Sequence, residues 1–126
     1  MAARPLSSFR HVQNRPGLRT RELIGSEHGV VSFFVDELLM DQGASIPLHT
    51  HPVEEAFLVA EGAITVRIGD RTVTAEAESV VRIPPGVPHA LRNSGQRVAR
   101  ALAAAPWDRV TFFRQATSYL EGQPPE

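Results

Sequence analysis

Lysine does not occur in this chain; all 13 basic residues are arginine. Schiff-base and amine-nucleophile chemistry are thereby excluded. Cysteine is missing as well, which removes disulfides, thiolate metal sites and cysteine nucleophiles together. Any metal has to be held by nitrogen and oxygen. No apolar run approaches the roughly 20 residues of a membrane-spanning helix, and the N-terminal region lacks the apolar stretch of a signal peptide. Arg4, Arg10, Arg15 and Arg19 precede the first acid, Glu22. Organelle transit peptides share that composition, but a polar lead-in strand is the better reading. With no address in the sequence, the expectation is a cytoplasmic protein. The formal net charge of −1 gives no reason to expect a nucleic-acid or membrane partner.

What is present fits one compact domain. The length of 126 residues is too short for two hydrophobic cores, and 42% hydrophobic with 21% charged residues is ordinary for a globular chain. Short apolar runs are punctuated by turn formers. Residues 30–40, rich in Val and Phe and bounded by Gly29 and Gly43, read as a strand, and 54–60 as another. Ile64, Val66 and Ile68 alternate with Ala63, Thr65 and Arg67, the period of a half-buried strand. Gly69-Asp70 then marks a tight hairpin before Val73 and Ala75 resume the alternation. Further strands are expected at 79–83, stopped by Pro84-Pro85-Gly86, and at 89–92 and 97–104, turning at Ser94-Gly95. The alanines of 99–105 could suggest helix, but their surroundings favour a strand. Many short strands with evenly spaced turns predict an all-β sandwich or barrel. A helix is expected only near the C-terminus, capped by Asp108, running to Leu120 with Gly122 past its end, and followed by a frayed tail at 123–126. Val110, Phe113, Thr117 and Leu120 would share its inner face.

Three of the five histidines fall in two clusters flanking the central hairpin. In His49-Thr50-His51 the two imidazoles share one side of an extended chain, with Cα atoms roughly 6.6 Å apart. Glu55 has the same parity and Glu54 the opposite one, unless a turn at Pro52 resets it. In Pro84-Pro85-Gly86-Val87-Pro88-His89, three prolines and a glycine fix the backbone just before one histidine, as suits a side chain that must be aimed. Any one of these histidines taken alone would read as a surface residue. Two clusters framing one hairpin make that coincidence uncomfortable. His11 and His28 sit in polar, turn-like settings and read as solvated.

The run Gly43-Ala-Ser-Ile-Pro-Leu-His49-Thr-His51-Pro-Val-Glu-Glu55, with Gly62 seven residues later, resembles the first motif of the cupins: Gly, five residues, His-x-His, three or four residues, Glu, six residues, Gly. Pro84-Pro85-Gly86-Val87-Pro88-His89-Ala-Leu-Arg-Asn93 resembles the second, Pro-x-Gly-x-x-His-x-x-x-Asn. One departure stands out: Glu78 occupies the position, six residues before Pro84, where that motif usually has glycine. The resemblance implies a small single-domain cupin of the conserved-barrel type, an all-β double-stranded β-helix (jelly-roll-like) with a short C-terminal helix. Residues 1–24 would form an N-terminal arm or strand, 25–105 the barrel and 106–122 the helix.

It also implies metal ligands at His49, His51, Glu55 and His89, the set that the parity argument favours. Fe, Mn, Ni, Cu and Zn as divalent ions all accept three imidazoles and a carboxylate. An open face on such an ion would attract an anionic oxygen of a small-molecule ligand. Phe57 and Val59 share the parity of Glu55 and are the candidate pocket wall; each alone reads equally as barrel core. One face of Phe33-Val35, or Phe34, could join them. Trp107, Phe112 and Phe113 are expected to pack the C-terminal helix, with a lid as the alternative. No second inward acid is evident, and no nucleophilic triad, phosphate loop or dinucleotide fingerprint occurs. The metal would then carry the chemistry. Cupins include dioxygenases, isomerases, decarboxylases and cyclases as well as non-catalytic binding and regulatory domains, so family alone does not select an activity. The expectation is a dioxygenase or isomerase/cyclase acting on a small oxygenated anion, with a non-catalytic binding or sensing module as the alternative. A homodimer is expected from the edge strands of so small a barrel, with the segment before Gly25 the likeliest to cross to a partner.

Overall fold

The computed structural model describes residues 3–120. Among them the strands are β1 (Val12–Arg15), β2 (Leu18–Ile24), β3 (Phe33–Met40), β4 (Ser45–Thr50), β5 (Glu55–Glu61), β6 (Ala63–Ile68), β7 (Arg71–Glu76), β8 (Ser79–Ile83), β9 (His89–Arg92), β10 (Ala99–Pro106) and β11 (Ser118–Tyr119). They form two antiparallel sheets, ordered β1-β2-β3-β10-β5-β8 and β11-β4-β9-β6-β7. Between β3 and β10 the chain passes repeatedly from one sheet to the other. The result is the expected all-β jelly roll.

Period-two alternation sends one set of side chains between the sheets. On β3 this inward set is Phe34, Asp36, Leu38 and Met40; on β5 it is Glu55, Phe57 and Val59. The alanine run on β10 is a strand, and Ala99, Ala101, Ala103 and Ala105 are its buried members. Four small side chains in a row leave room inside the barrel beside β3 and β5, its neighbours on either side. Leu18, Ile64, Val66, Ile83 and Leu91 fill much of the remaining interior, each such burial contributing about 1.5–3 kcal/mol. The hairpin at Gly69-Asp70 forms as read, with Ile68 opposite Arg71.

Several expected boundaries shift. β3 begins at Phe33 rather than at residue 30, and Val31 is exposed. Within the N-terminal region, read as an arm or strand, β1 and β2 extend the larger sheet, with β2 paired to β3 of the same chain. The C-terminal helix is far shorter than expected. A single helical stretch, Thr111–Ala116, has the wide π pitch, and Asp108 accepts hydrogen bonds from the Thr111 backbone N–H (2.9 Å) and hydroxyl (2.7 Å) at its start. Thr117 is already extended, and β11 pairs with β4. The proposed inner face fails because Val110 and Leu120 are exposed while Phe112 is buried, edge-on to Phe34 at 4.9 Å. The free edge of β4 offers the backbone after Ala116 a better set of partners than a further turn of helix. Gly122 and the tail at 123–126 lie outside the described residues.

Glu78, the departure from the motif, adopts φ 68°. The turn keeps the left-handed conformation that glycine takes freely, and a side chain there is strained. Glu78→Gly should therefore raise stability by about 1 kcal/mol, read as a higher urea midpoint at unchanged slope. A midpoint at or below wild type would show that the glutamate side chain has compensating contacts.

Candidate metal centre

His49 lies on β4, His51 just after it, Glu55 at the start of β5 and His89 at the start of β9. His49 and His89 are direct cross-strand partners. Ile46 and His49 are both buried although their spacing breaks the period of two, because the β4–β9 register shifts between them. That irregularity sets the inward parity of the His-x-His pair. The rigid turn before His89 is tied to the first cluster: the Gly86 N–H donates to His51 O at 2.8 Å. The two motifs are thus held as one unit.

All four side chains are buried, and one donor atom from each lies within 4.8 Å of all the others. Each imidazole donates Nδ1–H to a backbone carbonyl two residues away: His49 to Pro47 O (2.7 Å), His51 to Val53 O (2.8 Å) and His89 to Val87 O (2.9 Å). A carbonyl only accepts, so the neutral tautomer carries its lone pair on Nε2. The Nε2 atoms of His51 and His89 then lie 3.2 and 3.3 Å from one oxygen of Glu55. Acceptors crowded in this way repel unless a positive centre stands among them. An ion with bonds of about 2.1 Å spans such a group, and carbonyl-oriented imidazoles are the usual ligand arrangement. The residues present therefore fit a divalent transition metal.

The electrostatics agree with that fit. Burial, reinforced by the neighbouring His89, pushes His49 down to about 4, so its lone pair is available well below neutral pH. Burial alone would push the Glu55 carboxyl up; protons on His51 and His89 facing it, in the place of a metal, outweigh that and hold the carboxyl below its ordinary value. Glu54 points the other way, as parity required: its side chain is 54% exposed and accepts from Arg82 Nε at 2.6 Å, against 5% exposure for Glu55. Glu55→Ala should lower metal affinity by roughly 100-fold or more, a ligand counting at least as much as the groups that orient ligands. Glu54→Ala should leave affinity within about twofold, since an exposed ion pair contributes little. The opposite ranking in a metal titration would contradict the geometry.

A small cavity of about 30 Å³ opens beside His49 and Glu55, walled by Leu38, Ile46, Phe57, Leu91 and Ala103. Phe57 lines it; Val59 is not among the lining residues and packs in the apolar core. The cavity is roofed by Phe113, Thr117 and Tyr119. Phe112 packs on the His51 ring at 4.4 Å and Tyr119 on the His49 ring at 5.5 Å, so the C-terminal segment supports the ligands as well as covering them. Trp107 is partly exposed and turns the chain out of β10 with φ 83°.

Asp36 overturns one expectation. It is a second inward acid, 2% exposed, lining the same cavity and paired with Arg109, whose Nε lies 3.0 and 2.9 Å from its two oxygens. It sits among apolar residues in Phe-Phe-Val-Asp-Glu-Leu-Leu-Met, where its parity with Phe34, Leu38 and Met40 was the available signal. Two histidines lie outside the site. His11 is 3.7 Å from Glu37, and His28, read as solvated, lies edge-on to Phe9 with a buried Nδ1 3.9 Å from Glu22.

A family model described as "Cupin domain" matches residues 37–105. The chain is 30% identical over 91 residues to the tetracenomycin polyketide synthase protein TcmJ of Streptomyces glaucescens, covering 71% of this chain and 61% of that protein. It is 34% identical over 73 residues to the polyketide synthase CurC of Streptomyces cyaneus, covering 57% and 47%. It thus spans less than two thirds of either relative. Among solved structures, the polyketide cyclase RemF from Streptomyces resistomycificus superposes with a TM-score of 0.82 at 23% identity, over 98% of this chain and 87% of that one. Oxalate decarboxylase from Bacillus subtilis does so with a TM-score of 0.75 at 19% identity, over 90% and 30%. These two likenesses concern the fold.

Proposed function

This chain belongs to the cupin family, and from that membership we propose that it is a metal-dependent enzyme of small oxygenated organic anions, specifically a cyclase. The observation that carries the reading is the apolar cavity set against His49 and Glu55, two members of a buried three-histidine, one-glutamate group. TcmJ and CurC are polyketide synthase proteins and RemF a polyketide cyclase, which favours a cyclase over a dioxygenase. A poly-β-carbonyl chain has acidic C–H groups and carbonyl oxygens, which suit such a site.

A divalent ion bound there would supply a Lewis acid for a carbonyl or enolate oxygen. Three neutral imidazoles and one carboxylate leave it with a net charge of about +1, which favours an anionic oxygen. The chain's own part is to exclude water and orient the substrate. Leu38, Phe57 and Leu91 give an apolar wall, and a substrate needs the roof of Phe113, Thr117 and Tyr119 to lift, because the cavity as it stands holds little more than a water molecule.

The test is reconstitution with Fe(II), Ni(II), Cu(II) or Zn(II), followed by diacetylacetone, a linear triketone. A product one water lighter, without oxygen uptake, supports the cyclase. Oxygen consumption would move the assignment to a dioxygenase. A spectral change with the triketone recovered intact would favour the non-catalytic binding module.

A further inference from the structure

Four polar side chains besides His49 and Glu55 line the cavity: Thr20, Asp36, Thr117 and Tyr119. Two of these have committed their protons. The Thr20 hydroxyl donates to Asn14 Oδ1 at 2.7 Å and the Thr117 hydroxyl to Phe112 O at 2.6 Å. Asp36 differs in kind. A carboxylate placed among Leu38, Ile46, Phe57, Leu91 and Ala103 is strongly disfavoured unless its charge is paired, and an apolar residue at this inward position would have packed with Phe34 and Leu38. The pairing cation, Arg109, comes from the roof segment rather than from the barrel, and its guanidinium stacks on Phe113, 4.8 Å from the ring centroid. The carboxylate thus lines the cavity while its cation belongs to the segment that covers it. Asp36, His49 and Glu55 line the same cavity, so a substrate seated in it faces all three.

We infer that Asp36 is the proton-transfer residue of this cavity, an assignment that rests on the cyclase reading. Its carboxylate takes a proton from a carbon beside a carbonyl of the substrate. The electron pair of that C–H bond forms the new C–C bond to a second carbonyl carbon. The π pair of that carbonyl moves to its oxygen, and Asp36 passes the proton to it. Atoms and charge balance as an intramolecular aldol addition, and Asp36 ends as the carboxylate it began. Loss of water follows from the β-hydroxy ketone.

The experiment uses metal-reconstituted protein and diacetylacetone in D₂O, with three readouts: metal content, the visible spectrum of the Cu(II) form on adding the triketone, and deuterium uptake beside the carbonyls above the buffer rate. Asp36→Asn keeps the shape and can still accept from Arg109, but is no base. It should retain metal and the spectral change within about twofold of wild type while catalysed exchange falls by roughly 10²- to 10⁴-fold. Exchange within about threefold of wild type would overturn the assignment. Should the asparagine variant not fold, the double variant Asp36→Leu/Arg109→Met replaces the ion pair with apolar groups of similar bulk, a change buried pairs often tolerate; the same loss at full metal content is expected, and retained exchange overturns the assignment equally. A wild type that shows the spectral change without exchange overturns Asp36 alone. A wild type with no spectral change overturns the reading of the cavity beneath it.

Discussion

His89→Ala is expected to lower metal affinity by far more than 100-fold while leaving a folded barrel. Changes to groups that merely orient ligands cost 10- to 100-fold, and His89 would be a ligand itself. Its ring is fully buried, aimed by its Nδ1–H bond to Val87 O and by the turn tied to His51 O. Alanine removes one donor and leaves Glu55 and His51 facing a void. Binding to the native state stabilises in proportion to the logarithm of free metal over Kd. Wild-type protein should therefore melt at rising temperature as metal is added, and the variant should not respond. A variant that follows the wild-type curve would show that His89 is no ligand.

The second large effect concerns stability away from the site. Glu37 projects from the outer face of β3 yet is completely buried beneath Arg21 and Arg100. Arg21 Nε donates to one oxygen at 2.7 Å and Arg100 Nε to the other at 2.7 Å, and Arg21 also reaches Leu6 O, tying the N-terminal segment to the sheet. Removing one partner of such a cluster costs about 3 kcal/mol, and this is the destabilisation expected of Glu37→Ala at pH 7. Burial by itself would push this carboxyl up, but the two guanidinium groups outweigh it and hold it below its ordinary value of 4.5. A carboxylate depressed in the folded state stabilises fully above its unfolded value and loses that contribution as pH falls through the folded one. Urea melts of the two proteins should thus differ most at neutral pH, with the gap narrowing as pH falls below 4.5. A gap that stays constant down to pH 3 would mean that the cost is packing alone.

The four metal-site side chains were legible because they rest on local rules. Parity placed His49, His51 and Glu55 on one side, and the proline-rich turn marked His89 as aimed. The cavity was less legible. Parity offers Phe57 and Val59 alike, and only Phe57 lines the cavity, because where the cavity ends depends on the opposing sheet. Thr20, Phe113, Thr117 and Tyr119 reach the site from distant parts of the chain. Of these only Phe113 is legible in the sequence, as a candidate lid residue; nothing local to the other three signals the site. The strand's parity points Asp36 inward, but the cation that makes a buried acid tolerable stands 73 residues away. The C-terminal helix was misjudged for a related reason: the free edge of β4, a tertiary partner, won over local helical periodicity.

X-ray absorption at the metal edge of the reconstituted protein tests the central claim most directly. One ion per chain is expected, with a first shell of nitrogen and oxygen only and the outer-shell scattering of three imidazoles. Protein that keeps no metal after desalting, or an ion whose spectrum lacks imidazole scattering, would contradict a centre built from His49, His51, Glu55 and His89.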